Sequence, residues 1–218
     1  MWKVSDVAEL YSQTYSQLRR KRSSRTILES LGLDFESFIK KQKEMAPEFI
    51  KNIEEKLTAY KIAETSTILA GIDSSGPHIY VVENENISCD DRTGFAVIGV
   101  GSNHAAPHFM FSGHTRVNPG QRTLLIAHQA KRKSEVAPGV GKGTDMFLIG
   151  PQLGSFRWIE EDWIKRLDKI YDNNLKDMEK VNKKSEVAVE KFLKEQAERK
   201  AQEQKVIVPL STEPAKSE

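Results

Sequence analysis

The chain has 218 residues, 38% hydrophobic and 29% charged, which supplies one core domain plus an accessory segment but leaves too much charge for the whole to pack. A formal net charge of +2 excludes a global electrostatic case for nucleic acid, and a single cysteine, Cys89, excludes an intrachain disulfide framework and fits a reducing compartment. The opening Met1-Trp2-Lys3-Val4 lacks the apolar stretch of a secretion signal, and no run approaches the ~20 apolar residues of a membrane span. The expectation is a soluble, cytoplasmic protein that binds neither nucleic acid nor membrane.

The first 62 residues read as helices. Val4, Val7, Leu10, Tyr11 and Leu18 recur at steps of three and four, with Ser5 or Asp6 as a candidate N-cap. Arg19-Arg20-Lys21-Arg22 closes that pattern as a solvated helix end, and Gly32 marks a break. Phe35, Phe38 and Ile39 predict a short helix, and a further helix opening at Met45-Ala46-Pro47 places Phe49, Ile50, Ile53 and Leu57 on one face. These helices need something to pack against.

The character changes at residue 66. Ser66 to Asp73 is a short apolar run, Ser74-Ser75-Gly76-Pro77 is a turn, and His78-Ile79-Tyr80-Val81-Val82 is β-branched and aromatic, which together predict a hairpin. Residues 84–92 read as a polar loop, and Phe95 to Gly101 as a buried strand running into glycines. A helix follows over Leu124 to Ala130, closed by Lys131-Arg132-Lys133, the charge favoured at a helix C-terminus. Gly139, Gly141 and Gly143 make a loop, and Asp145 to Ile149 a last strand. After Gly150-Pro151 comes a linker and then a helical pattern over 159–204, with Ile164, Leu167, Tyr171, Leu175, Met178 and Val181 as an apolar stripe. Such a helix would be on the order of 60 Å long, so its stripe is expected either to contact another helix or subunit, or to pack on its own core at the first turns only. The division expected is 1–150 for the core domain, with helices in 1–62 and a strand-rich part in 66–150, then 151–205 as a charged helical extension and 206–218 as a disordered tail.

Several chemical motifs fail on inspection. Gly139-Val140-Gly141-Lys142-Gly143-Thr144 is not a phosphate loop, because Val136 stands at the first glycine position and Gly143 where Ser or Thr must follow the lysine. Gly99-Val100-Gly101 follows a strand, but His104 holds the third glycine position of a dinucleotide fingerprint. His104, His108, His114 and His128 have no recognised ligand spacing, so neither a metal nor a cofactor is expected. Asn86-Ile87-Ser88 matches a glycosylation sequon by chance, and no Gly-x-Ser-x-Gly elbow exists.

What remains distinctive is an ordered string: Leu69-Ala70-Gly71-Ile72-Asp73, Gly76-Pro77-His78-Ile79-Tyr80-Val81-Val82, Gly94 through Ser102, Ala130-Lys131-Arg132, and Val140-Gly141-Lys142-Gly143-Thr144-Asp145-Met146. Over residues 68–149 this resembles the second half of a proteasome-type β-subunit, a threonine peptidase of the N-terminal-nucleophile (Ntn) hydrolases, in the flavour of the bacterial proteasome-like group. The resemblance implies an α+β fold, an αββα sandwich lacking its first strands, with the charged helix appended. It also implies an oligomer or ring assembly and, if the chain is completed, peptide substrates.

In that family a free N-terminal Thr attacks, supported by a Lys and an Asp on the following strands. None of the three has a matching position in this chain, so the expectation is a subunit or fragment incomplete at its N-terminus and without peptidase activity by itself. Ser102 holds the place of the serine that orients the nucleophile's amine, as an auxiliary catalytic residue or merely as a loop serine capping the backbone. Glu135 and Gly139 stand roughly where the family has Asp-x-x-Ser-Gly, which leaves that half of the site unmatched. The alternative expectation is a non-enzymatic scaffold that recruits a helical partner through residues 159–204.

Overall fold

The computed structural model describes residues 2–206, in which helices and small antiparallel sheets combine in an α+β architecture. The chain divides into two units, Met1–Glu161 and Asp162–Glu218.

The first unit opens with α1 (Val4–Ser23). Its N-cap is Lys3 rather than Ser5 or Asp6; Asp6 lies inside the first turn, where its carboxylate accepts the Lys3 N–H at 3.0 Å. The basic run closes the helix as expected. Arg20, Lys21 and Arg22 form its last turn, where cations favour the carboxyl end of the helix dipole. One π turn (Ser24–Leu28) and one 3-10 turn (Glu29–Leu31) follow, and the chain stops at Gly32, whose φ of 70° is open to glycine at little cost.

Helix α2 (Phe35–Lys41) is capped by Asp34, which accepts the Ser37 N–H at 2.6 Å and is held below the usual carboxylate range by it. Helix α3 (Pro47–Ala59) starts with Pro47 in its first turn, where the missing N–H costs nothing. Leu28, Phe38 and Ile53 are buried together, with Phe35, Ile50 and Leu57 around them. These helices therefore answer much of their packing demand among themselves. The Arg20 guanidinium stands 4.0 Å over the Phe35 ring and closes one side of this cluster.

The expected hairpin is present as β1 (Ser66–Asp73) and β2 (Gly76–Glu83), in antiparallel register from Ser66↔Glu83 to Asp73↔Gly76. The segment 84–92, expected as a loop, instead contains β3 (Asn86–Cys89), which pairs Glu83↔Asn86 through Tyr80↔Cys89. All four residues of β3 are exposed, so this edge strand lacks the apolar alternation by which strands are read. The β2–β3 turn carries Asn84 at φ 58°, and its side-chain oxygen accepts from the Tyr15 hydroxyl at 2.9 Å and the Thr65 N–H at 3.1 Å. Helix α1 is tied to this sheet by Ser12 Oγ donating to the Glu85 carbonyl and by the Arg19–Glu85 pair at 3.1 Å.

The segment Phe95 to Gly101 does not form the expected strand. Residues 95–98 join no ladder, and 99–101 turn into a helix that the sequence pattern did not show, α4 (Ser102–Phe111). Pro107 and a weak apolar periodicity conceal α4, yet Ala105 and Phe109, one turn apart, are buried against Ile126 and Ala130 of α5 (Gly120–Ser134). Phe95 stacks on Phe109 at a ring separation of 4.6 Å. The last expected strand is shorter than its apolar run: β4 (Phe147–Ile149) pairs with β5 (Phe156–Trp158), which lies in the stretch read as a linker.

The second unit is the long helix α6, which as an element spans Glu161–Val206, 46 residues or about 69 Å at 1.5 Å per residue. The tail expected to be disordered lies, from residue 207 on, outside the described residues. Among the described residues no helix is long and apolar enough to cross a membrane.

The helical cluster has a direct test. Phe38 is 1% exposed, and Phe38→Ala should lower unfolding stability by about 3–5 kcal/mol, read from urea denaturation.

Candidate functional site

A cleft of about 650 Å³ in the first unit is lined by residues 96–101, by α4 and by α5. Ile68 from β1, Val97, Phe109, Ala127 and Met146 make it largely apolar. Lys131, Ser102, Ser134, Thr144 and Asp145 supply its polar side chains. Phe95 and Val97 pack against the buried Ala105–Phe109–Ile126–Ala130 cluster. The backbone of 95–98 is meanwhile left without a strand beside it.

Ser102, the one site residue carried over from the resemblance, lines this cleft as the first residue of α4. Its N–H donates to the Gly99 carbonyl at 3.0 Å, and α4 has no side-chain cap because its N-cap is Gly101. Glycine at 101 has a steric cause. A Cβ there would stand 2.8 Å from Ser134 Cβ and 3.2 Å from a Val140 methyl, so the start of α4 is pressed against the end of α5. Gly99 differs, with open space around it but a φ of 88°. One glycine thus permits the turn and the other the close approach, and together they set Ser102 at the cleft.

Lys131 does more than close a helix. Its ammonium donates to Glu135 Oε1 at 2.9 Å and to the Gly141 carbonyl at 2.8 Å, stapling the end of α5 to the glycine loop. Glu135 also meets Arg132 at 3.3 Å. Glu135, at the unmatched acidic position, is therefore paired with two cations on its own helix. The sequence marked Lys131 within Ala130-Lys131-Arg132 but offered no sign of its reach to Gly141.

The histidines are separated by the fold. His108 faces Gln129 at 3.1 Å, and burial holds its imidazole below the usual value, with Lys133 adding to the effect. His114 meets the Gly94 carbonyl at 3.1 Å and stands edge-on to Phe95 and Phe109. His128 is fully buried in α5. Among the described residues no group of three or more His, Cys, Asp or Glu could hold a metal ion. Cys89 is exposed on β3.

What this arrangement offers chemically is a largely apolar trough with the unladdered segment 96–98, Ser102 and Lys131 among its lining residues. The junction that builds it should respond unequally to substitution. Gly101→Ala should destabilise by about 1–3 kcal/mol through overpacking on Ser134, whereas Ser102→Ala should stay within about 0.5 kcal/mol, both read from chemical denaturation. Comparison with family models and with curated proteins returns no match to this chain.

Proposed function

We propose that the first unit is one half of an Ntn-hydrolase sandwich of the proteasome β-subunit type, and that strands from polypeptide outside residues 2–206 complete its cleft and bring the nucleophile. The observation that carries this reading is that the segment 95–98, whose Phe95 and Val97 pack on the α4–α5 core and whose residues 96–98 line the cleft of about 650 Å³, lies in no sheet. A segment of strand composition that packs on a core but joins no ladder is a place where another strand can pair. The β4–β5 hairpin supports the same reading. Its cross-strand pairs Phe147↔Trp158 and Ile149↔Phe156 lie on one face, and all four side chains are exposed, Phe156 by 67% and Trp158 by 63%. An isolated two-stranded ribbon is marginal in water, and an aromatic face of this kind is ordinarily covered.

In this reading the protein is a threonine-type peptidase subunit that works in an oligomer or ring, without metal or cofactor, on peptide substrates. Ser102, at the cleft end, is the auxiliary group that orients the incoming amine. The chain lacks peptidase activity until its strands are supplied. The test extends the reading frame upstream of the Met1 codon and expresses the longer product. Support consists of slow amide exchange at Ala96, Val97 and Ile98, with hydrolysis of a fluorogenic peptide that is lost when the product's processed first residue is replaced by Ala. A stop codon directly before Met1, with rapid exchange at those amides in every assembly the purified chain forms, counts against it, as does hydrolysis by the present chain alone.

A second reading, a scaffold acting through α6, is favoured by a specific feature of that helix. Leu175, Met178, Val181 and Phe192 are exposed by 45%, 58%, 60% and 56%, although each is a residue that gains by leaving water. Ion pairs such as Lys183–Glu179 at 2.8 Å and Lys194–Glu190 at 2.7 Å support the helix locally, each contributing only about 0.3–0.5 kcal/mol. If α6 recruits a helical partner or another subunit, Met178→Glu combined with Val181→Glu should lower the mass of the assembly in light scattering. An unchanged mass would remove this role.

A further inference from the structure

A second polar cluster lies at the tip of the β1–β2 hairpin. His78 Nδ1 is 2.6 Å from Asp91 Oδ2, and His78 Nε2 is 2.8 Å from Ser75 Oγ and 3.4 Å from Asp73 Oδ1. Asp73 Oδ1 accepts both the Ser75 N–H at 2.8 Å and the Ser75 hydroxyl at 2.5 Å, while Asp73 Oδ2 accepts the Val4 N–H at 3.0 Å. Asp91 Oδ1 accepts the Ile79 N–H at 2.8 Å. The Asp73 side chain is only 4% exposed, so one nearly buried carboxylate joins the hairpin turn to the first residue of α1.

Ser75, His78 and Asp91 stand in the order of a hydrolase triad, but a second, stronger acceptor for the Ser75 proton argues against one. The Ser75 proton has two acceptors, and an ionised carboxylate at 2.5 Å is the stronger. With that proton on the Asp73 side, the short contact from His78 Nε2 to Ser75 Oγ requires the imidazole to donate. His78 Nδ1 faces Asp91 and also donates. Both ring nitrogens then carry hydrogen, and His78 is the cation between two carboxylates.

We propose that His78 is a proton-operated latch: its charged form locks the β1–β2 turn to the amino-terminal end of α1 through Asp73, and its neutral form lets that end loosen. On losing the Nε2 proton, His78 presents a lone pair to Ser75 Oγ and to Asp73. The Ser75 hydroxyl then turns from Asp73 to Nε2, and Asp73 loses a donor and an adjacent positive charge together. The groups facing His78 are Asp73 from β1, Ser75 from the turn, Tyr80 from β2 at a ring separation of 6.2 Å, and Asp91 from the loop after β3, with Cys89 of β3 beside Tyr80 and Asp91. The hydrogen bond to Asp91, reinforced by the charges of Asp91 and Asp73, raises the His78 pKa. Asp73 is held below the usual carboxylate range, first by the Ser75 hydroxyl and then by the Val4 N–H. Burial pushes Asp91 up, but the Ile79 N–H and His78 outweigh it and hold it below the usual carboxylate range, so both carboxylates stay ionised while His78 titrates. A raised folded-state pKa means that the latch is fully set below the ordinary imidazole value of about 6.5 and is released as pH rises through the higher folded value.

The test follows the His78 ring and the Val4 amide in the full chain by NMR across neutral to alkaline pH. The expected result is a His78 midpoint above the ordinary value that falls back toward it in Asp91→Asn. The Val4 protection factor should drop roughly three- to tenfold as His78 deprotonates, the loss of about one hydrogen bond, and should lose this pH dependence in His78→Gln. A His78 midpoint at or below the ordinary value overturns the proposal. So does a Val4 protection factor that follows pH equally in His78→Gln. Should His78→Gln fail to fold, the wild-type titration and Asp91→Asn still decide it.

Discussion

A peptide N–H or C=O that leaves water must find another partner, and the first unit is organised by how far it meets that demand. Between residues 66 and 89 it is met in full register, strand against strand, with turns of two residues that allow no slip. At 95–98 no strand meets it. There the side chains of Phe95 and Val97 have found a core, while the backbone between them has no neighbouring strand. The cleft, the position of Ser102 and the proposal of missing strands all follow from that asymmetry.

The buried material is divided in a way that fits it. One cluster, around Leu28, Phe38 and Ile53, belongs to the helices of the first 60 residues. Another, around Phe109, Ile126 and Ala130, belongs to α4 and α5. The three-stranded sheet contributes Val81 and Val82 as its buried apolar residues, and polar ties join it to α1 from Val4–Asp73 at one end to Arg19–Glu85 at the other. Such ties are directional and weak one by one, about 0.5–1.5 kcal/mol net for a hydrogen bond. That is why a single carboxylate, Asp73, matters to the seating of α1, and why charge on His78 acts beyond the turn it occupies.

Much of the architecture was legible wherever one local rule spoke alone. The β1–β2 hairpin followed from β-branched runs flanking a Ser-Ser-Gly turn, α3 from Pro47 and an apolar face, and α6 from unbroken periodicity. The misreadings came where two rules conflicted. Phe95 to Gly101 has strand composition, but forming a ladder needs a second strand that composition cannot supply. In α4 the proline and the scattered histidines outweighed the pair Ala105 and Phe109, whose burial depends on α5. β3 and β5 are exposed along their whole length, so no alternation marked them.

The candidate site divides in the same way. The sequence by itself determined that Ser102 follows two glycines, that no metal-ligand spacing exists and that α6 carries an apolar stripe, because these depend on residue type and interval alone. The tertiary structure decided that Gly101 must be bare to meet Ser134, that Lys131 reaches Gly141, and that Asp73, Ser75, His78 and Asp91 converge. Those are contacts between separate stretches of chain. Their distances are set by how helices and strands stack, and a linear pattern records that stacking only where a periodic face or a tight turn imposes it.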